Sequence, residues 1–264
     1  MITGKIIRPL RNWLRERLKR RGWFLYSRHT LPRSVRLDID LARFRPLADF
    51  ATVIDVGANE GQTAARFLAC FPRARIISFE PVPATFRRLA AAQGGAPRVT
   101  CENLAASNAN EDVQMLVGAE ADSFVSRIVD ASAPEDAVWH RESVRAVRLE
   151  DYLRGKNIPK IDLLKTDTEG HDLRVLQGCG ALLDGRRISF VLCEVGFSAA
   201  NTQNSHLAAI GDFLKQHDYL FFALYPPSGW TPSLELAYAD ALFVSRELLD
   251  EAAGKAGGHE LPTG

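Results

Sequence analysis

Short apolar strands alternating with helices, a glycine-bracketed turn directly after the first such strand, and an ordinary globular composition predict a doubly wound α/β domain. The first observation carries the most weight. Strands that are apolar throughout, rather than at every second residue, are buried on both faces, as in a parallel sheet covered by helices. The turn matters because such sheets bind ligands outside the carboxyl ends of their strands. Of the 264 residues, 46% are hydrophobic and 25% charged, which excludes collagen-like, coiled-coil and wholly disordered chains.

The elements follow in order. Leu10, Trp13, Leu14 and Leu18 recur at helical spacing among arginines, with Pro9 suited to the first turn and Gly22 to the stop, so the basic arm, residues 1–37, is predicted to be partly helical. The strand Thr52–Val56 runs through the Gly57 to Gly61 turn into a helix over residues 63–70. A second strand over 75–80 leads through Pro81 and Pro83 into a helix ending near Gly94, and residues 99–103 make a third strand. Residues 112–117 and 144–148 read as extra strands. The segment about 118–145 reads as an irregular excursion over the active face, as long aperiodic segments usually are. A strand over 161–166, a helix over about 171–176, a strand over 188–194, a helix over 207–216 and strands over 219–224 and 241–245 complete the alternation. One domain, 38–253, is expected, followed by a flexible Gly-rich tail, 254–264.

The formal net charge of +1 conceals a division. Residues 1–37 hold eleven Lys or Arg and one acid, hence +10, and the remaining 22 basic and 31 acidic side chains leave the body at −9. An acidic body offers no broad face for phosphates, so no nucleic-acid partner is expected. The arm, residues 9–21, suits peripheral contact with an anionic membrane or an acidic partner. Packing of Trp13 and its leucines on the body, and a cleaved targeting peptide, stay open beside that reading. No apolar run is long enough to span a bilayer, and the start lacks a secretory signal. Cys70, Cys101, Cys179 and Cys193 are scattered without a C-x-x-C pair, which suits a reducing compartment. The expected location is cytoplasmic, with the inner face of a membrane as a peripheral option.

Gly57 and Gly61 let the backbone turn tightly and approach a ligand. Their G-x-x-x-G spacing differs from G-x-G-x-x-G, whose middle glycine admits a pyrophosphate, so a nucleotide-dependent oxidoreductase is disfavoured. Asp55 at the strand tip would repel phosphate but could receive an ammonium group. Glu80 ends the next strand, where an acid accepts hydrogen bonds from ribose hydroxyls. A ligand with a ribose and a cationic amino-acid end but no phosphate is S-adenosylmethionine.

The blocks V-I-D-V-G-A-N-E-G (53–61), F-E-P-V-P (79–83), N-L-A-A-S (103–107) and K-T-D-T-E-G (165–170), followed by Val175-Leu176-Gln177-Gly178, resemble successive blocks of the FkbM-type S-adenosylmethionine-dependent methyltransferases. The resemblance spans roughly residues 50–195. It implies the Rossmann-like class I methyltransferase fold, a mostly parallel seven-stranded sheet with a reversed last strand, and usually O-methylation of a sugar, glycan or polyketide-like hydroxyl. By position, Asp55, Gly57, Ala58, Asn59 and Gly61 look like the methionine-side loop, and Glu80 with Pro81 like the ribose acid and its turn. Asn103, Ala105 and Ala106 fall where the adenine edge is met, and Asp167 closes the pocket. Arg148-Leu149-Glu150-Asp151 departs from the family's usual T-L-D-D.

An alcohol that accepts a methyl group must lose a proton, and a positioned base contributes about 10²- to 10⁴-fold. Asp167, His171 and Glu194 stand at strand ends as catalytic candidates. His171 is the best-matched base by its intrinsic pKa of about 6.5, and His140 is a second choice. Asp167 and Glu194 could also orient the substrate. No metal site is predicted, although oxygen ligands leave a divalent cation as an alternative. A catalytically silent methyltransferase-like binding module is the rival of a different class.

Overall fold

A computed structural model describes residues 12–27, 30–118, 126–129, 139–198, 201, 203–226 and 236–256. Pro9 to Arg11, most of the predicted excursion and residues 257–264 lie outside the described residues. The elements are helix α1 (residues 12–19), α2 (Leu37–Leu41), β1 (Thr52–Val56), α3 (Gln62–Cys70), β2 (Arg75–Phe79), α4 (Pro83–Gln93) and β3 (Val99–Glu102). Then come β4 (Ala105–Ala106), β5 (Glu111–Gly118), β6 (Ser126–Val129), β7 (Trp139–Val147), α5 (Leu149–Gly155), β8 (Ile161–Thr166), α6 (Asp172–Gln177) and α7 (Gly180–Asp184). β9 (Ile188–Gly196), α8 (Leu207–Gln216), β10 (Tyr219–Tyr225), β11 (Tyr238–Ser245) and α9 (Arg246–Ala256) complete the chain.

The main sheet has seven strands in the order β10-β11-β9-β8-β1-β2-β3. β9, β8, β1, β2 and β3 are parallel neighbours, while β11 runs antiparallel to both β9 and β10. This is the doubly wound, mostly parallel sheet with a reversed last strand that was expected. Strand order reverses between β1 and β8, which opens a crevice at their carboxyl ends.

Every residue of β1 and β8 is buried because both faces are covered. On one face Ile54, Val56, Ile77 and Phe79 pack with Leu176, Leu182 and Leu214 from the helices. On the other, Val53, Ile76, Leu163 and Phe190 pack with Leu41, Phe67 and Phe71. Alternate residues of one apolar strand thus feed two cores, and this explains why the strands lack alternation.

A second, four-stranded sheet, β4-β7-β5-β6, stands beside the first and encloses a small core of Val82, Ala105, Met115, Val117, Val144 and Ala146. Its strands β6 and β7 correct the irregular reading at residues 126–129 and 139–145, the parts of the excursion that are described. β7 pairs with β5 from Glu111↔Ala146 to Gly118↔Trp139, so residues 139–145 are regular strand. Their charged, alternating sequence reflects a strand with one face in solvent. At the end of the chain α9 continues to Ala256, three residues into the predicted tail. All four cysteines are free thiols. No helix among the described residues is long and apolar enough to cross a membrane.

Candidate active site

β1 delivers its chain into the turn at Gly57, which adopts φ +77°. A Cβ there would lie 1.8 Å from the Asp167 carbonyl oxygen, so only glycine lets the β1 and β8 loops approach this closely. The amides of Gly57 and Ala58 both donate to the Phe79 carbonyl, at 3.1 and 3.0 Å, and Asp167 N–H donates to the Val56 carbonyl at 3.1 Å. Three strand ends are thereby tied together around a cavity of about 210 Å³.

Glu80 is held from both sides. Its Oε2 accepts from Asn59 N–H and its Oε1 from Val82 N–H, each at 3.0 Å. Asn103 Nδ2 donates to the carbonyls of Glu80 and Pro81 at 2.9 and 2.8 Å, which sets the turn that carries the carboxylate. Burial raises the Glu80 pKa to about 7, against the two backbone hydrogen bonds that lower it.

Gly57, Asn59, Glu80, Pro81, Ala105 and Ala106 line the cavity, together with Asp167, His171 and Glu194. The other predicted cofactor residues stand behind it. Ala58 is buried, and Gly61 caps α3 with its carbonyl accepting from Gln93. Asn103 acts through the Glu80 turn. Asp55 is fully buried beneath the loop, 3.5 Å from Lys165 Nζ, on the face of β1 that it shares with Val53. Strand alternation sets its side chain on the opposite face from Val56, and it does not line the cavity.

Lys165 is the functional residue that sequence reading passed over. It is buried, its Nζ lies 3.1 Å from Asp167 and 3.4 Å from the Gly57 carbonyl, and it ties both loops to one cation. Burial alone would lower its pKa, but Asp55 and Asp167 outweigh burial and raise it. Leu104 and Glu169, from segments already singled out, also line the cavity, and Thr85, Met115, Ile128 and Thr168 join them without having been assigned a role. Met115 and Ile128 come from the second sheet, for which no local pattern gave a direction. Glu169 stood inside the K-T-D-T-E-G block and was legible there.

The electrostatics separate the candidate bases. His171 Nε2 lies 2.9 Å from Ser107 Oγ, and burial, with a smaller push from Arg174, lowers its pKa to about 4. The ring is neutral across the physiological range, which corrects the near-neutral pKa that recommended it. His140 sits on β7 with its Nε2 3.0 Å from Glu142 and does not line the cavity. Burial, then Asp167 and Asp172, raise Glu169 to about 7. Burial, then Asp167 and Glu169, raise Glu194 to about 9. Glu194 also accepts from Asn204 Nδ2 at 2.5 Å and stands directly across the β9-β11 pair from Asp240.

Four carboxyl groups and no Lys or Arg line the cavity, beside an apolar wall of Pro81, Leu104, Met115 and Ile128. That donor set fits a cationic, ribose-bearing ligand with a flat base and opposes a phosphate-rich one. Among the described residues no group of three or more His, Cys, Asp or Glu side chains is placed to hold a metal ion. In Arg148-Leu149-Glu150-Asp151, Glu150 is buried, ion-paired to Arg148, and accepts from Ala181 N–H at 3.0 Å, so the departure serves α7 rather than the cavity.

Sheet order and the glycine turn after β1 together define a class I methyltransferase fold. The profile of the Methyltransferase FkbM domain matches residues 55–221, and the chain belongs to that family. Its similarity to the hexuronic acid methyltransferase AglP of Haloferax volcanii is 26% identity over 142 residues, 53% of this chain and 54% of that protein. With the 2-O-methyltransferase NoeI of Sinorhizobium fredii it shares 27% over 136 residues, 48% of this chain and 56% of that one. With the AMB antimetabolite synthetase AmbE of Pseudomonas aeruginosa it shares 27% over 205 residues, 64% of this chain but 9% of that one. The chain therefore spans about a tenth of the length of AmbE and about half of AglP and NoeI. Among solved structures, an rRNA methylase from Streptococcus thermophilus superposes with a TM-score of 0.46 at 12% identity, covering 82% of this chain and 98% of that one.

Proposed function

We propose that the protein transfers a methyl group from S-adenosylmethionine to a hydroxyl of a sugar, glycan or similarly hydroxylated small molecule, with Glu194 accepting the hydroxyl proton. One observation carries the assignment of Glu194: its side chain lines both the cofactor cavity and an adjoining cleft of about 540 Å³. That cleft presents Arg66, Tyr225 and Tyr238, a cation and two aromatic rings, and suits an acceptor with an apolar ring face and polar substituents. The printed activities of AglP and NoeI support a sugar hydroxyl as the class of acceptor.

Glu80 would hold the ribose and Asp167 the amino-acid end, while Met115 and Ile128 would cover the base. When bound, S-adenosylmethionine supplies a methyl group on a sulfonium, and its positive charges favour the ionised form of the carboxyls around it. Glu194 is thereby moved from its resting protonated state toward the carboxylate that a base requires. Lys165 holds Asp167 and the Gly57 loop in place, and Ser107 holds His171 against the cavity wall. Alignment of the acceptor oxygen supplies much of the rate enhancement, and the rigid strand ends provide it.

Calorimetry with S-adenosylhomocysteine, followed by transfer of labelled methyl to a panel of uronic acids, neutral sugars and non-sugar alcohols, tests this reading. Binding with labelled ether products supports it. Absence of cofactor binding by folded protein overturns it, and binding without transfer to any hydroxyl favours the silent module.

A further inference from the structure

The amino-terminal arm is built as a hairpin that buries none of its large side chains. α1 ends in a reversal in which Gly22 N–H donates to the Lys19 carbonyl and Trp23 N–H to the Leu18 carbonyl, both at 3.0 Å, with Gly22 at φ +79°. This pairing is the Schellman motif, and it folds the chain back beside the helix. Arg15 clamps the returning strand by donating to the Leu25 carbonyl at 3.0 Å. The result is a defined shape rather than a loose tail.

What the hairpin presents is unusual. Six of the ten exposed large apolar residues among the described part of the chain fall within residues 13–26, and Trp23 and Phe24 at the turn are 68% and 61% exposed. Arg15, Arg17, Lys19, Arg20 and Arg21 stand exposed among them, against the single acid Glu16. Soluble surfaces scatter apolar side chains singly, and six exposed within one short hairpin mark it as an interaction site. Trp13 and Leu14 are 55% and 45% exposed, so among the described residues they do not pack on the body.

We infer that residues 12–26 are a docking hairpin for an anionic lipid bilayer, with Trp13, Trp23, Phe24 and Tyr26 entering the headgroup zone and the five cations meeting anionic lipid. Tryptophan and tyrosine favour that zone because one end of each ring system is apolar and the other polar. The charge matches only on the arm's side, since the body is acidic and would be held off the same surface. Each cation near such a leaflet contributes about five-fold to partitioning, so several are needed for stable attachment, and five are present. This inference does not depend on the acceptor or on catalysis.

The test is co-sedimentation of the full chain with vesicles of phosphatidylcholine alone or mixed with phosphatidylglycerol, at low and high salt. Two variants accompany it: Arg17→Gln/Lys19→Gln/Arg20→Gln/Arg21→Gln, which spares the Arg15 clamp, and Trp23→Ala/Phe24→Ala. Binding is expected to the mixed vesicles only and to fall steeply with salt. The charge variant should lose roughly two to three orders of magnitude and the aromatic variant at least about ten-fold. Both should keep the wild-type melting temperature, since the altered side chains lie in solvent. Equal binding to neutral vesicles, no binding at low salt, or an aromatic variant that binds like wild type would each overturn the inference. Concentration-dependent dimers lost in both variants, without vesicle binding, would assign the hairpin to a second copy of the chain instead.

Discussion

Glu80 shows how a single side chain is fixed at the cavity wall. Its two oxygens are already engaged by Asn59 and Val82 amides, so the carboxylate is aimed before any ligand arrives. Glu80→Ala should weaken S-adenosylhomocysteine binding by about 1.5 to 3 kcal/mol, measured by calorimetry, with the fold retained. Glu194 and His171 make a sharper pair. With the histidine pKa near 4, the acid limb of the rate profile cannot belong to it. Glu194→Gln should lower kcat by about 10²- to 10⁴-fold, whereas His171→Gln should leave the position of that limb unchanged. A limb that disappears with His171 would return the base to the histidine.

Elements meet here through close backbone approaches. Gly178, at the end of α6, has no special φ, yet a Cβ on it would lie 2.0 Å from the Ser107 carbonyl oxygen. The strand that carries Ser107 to His171 therefore rests directly on this helix end. Gly178→Ala should destabilise the protein by about 1 to 3 kcal/mol in urea unfolding. Gly180→Ala, two residues on, where nothing lies within 4 Å of the added carbon, should be neutral or slightly stabilising. Equal effects at the two sites would mean that the contact with Ser107 is not what sets the position.

Over the whole molecule, the cavity's carboxyls couple stability to pH. Glu80 and Glu169 near 7 and Glu194 near 9 all have folded pKa values above the ordinary carboxyl range. Each contributes stability at low pH that is lost as pH rises through its folded value. His171 acts in the opposite sense, but its contribution is complete above its unfolded pKa of about 6.5. From pH 6.5 to 9 the buried carboxyls dominate, so the unfolding free energy of the ligand-free protein should fall by about 1.4 kcal/mol per pH unit for each proton in difference, and its melting temperature with it. Binding of the cationic cofactor should release protons near pH 7.5, visible as a dependence of the calorimetric heat on the buffer's ionisation enthalpy. A flat stability profile together with no proton release would contradict this electrostatic picture.

Much of the molecule was legible one residue at a time. Uniformly apolar strands declared a sheet covered on both sides, the residue-207 helix was read to its exact ends, and the blocks at 53–61 and 79–83 come together at the cavity wall, because those features depend on neighbours in the chain. Lys165 stood in the K-T-D-T-E-G block without a role assigned to it, because only the pairing of β1 with β8 brings Asp55 and the Gly57 carbonyl beside its ammonium. Asp55, read as meeting the ammonium directly or through water, is buried beneath the loop beside Lys165. Met115 and Ile128 joined the cavity through a second sheet whose pairing is long-range. The sequence by itself determined the order of elements, the glycine turn and the acids at the strand ends. Tertiary structure alone decided which of those acids share a desolvated space and what pKa each one has, because burial and charge proximity are properties of the packed chain.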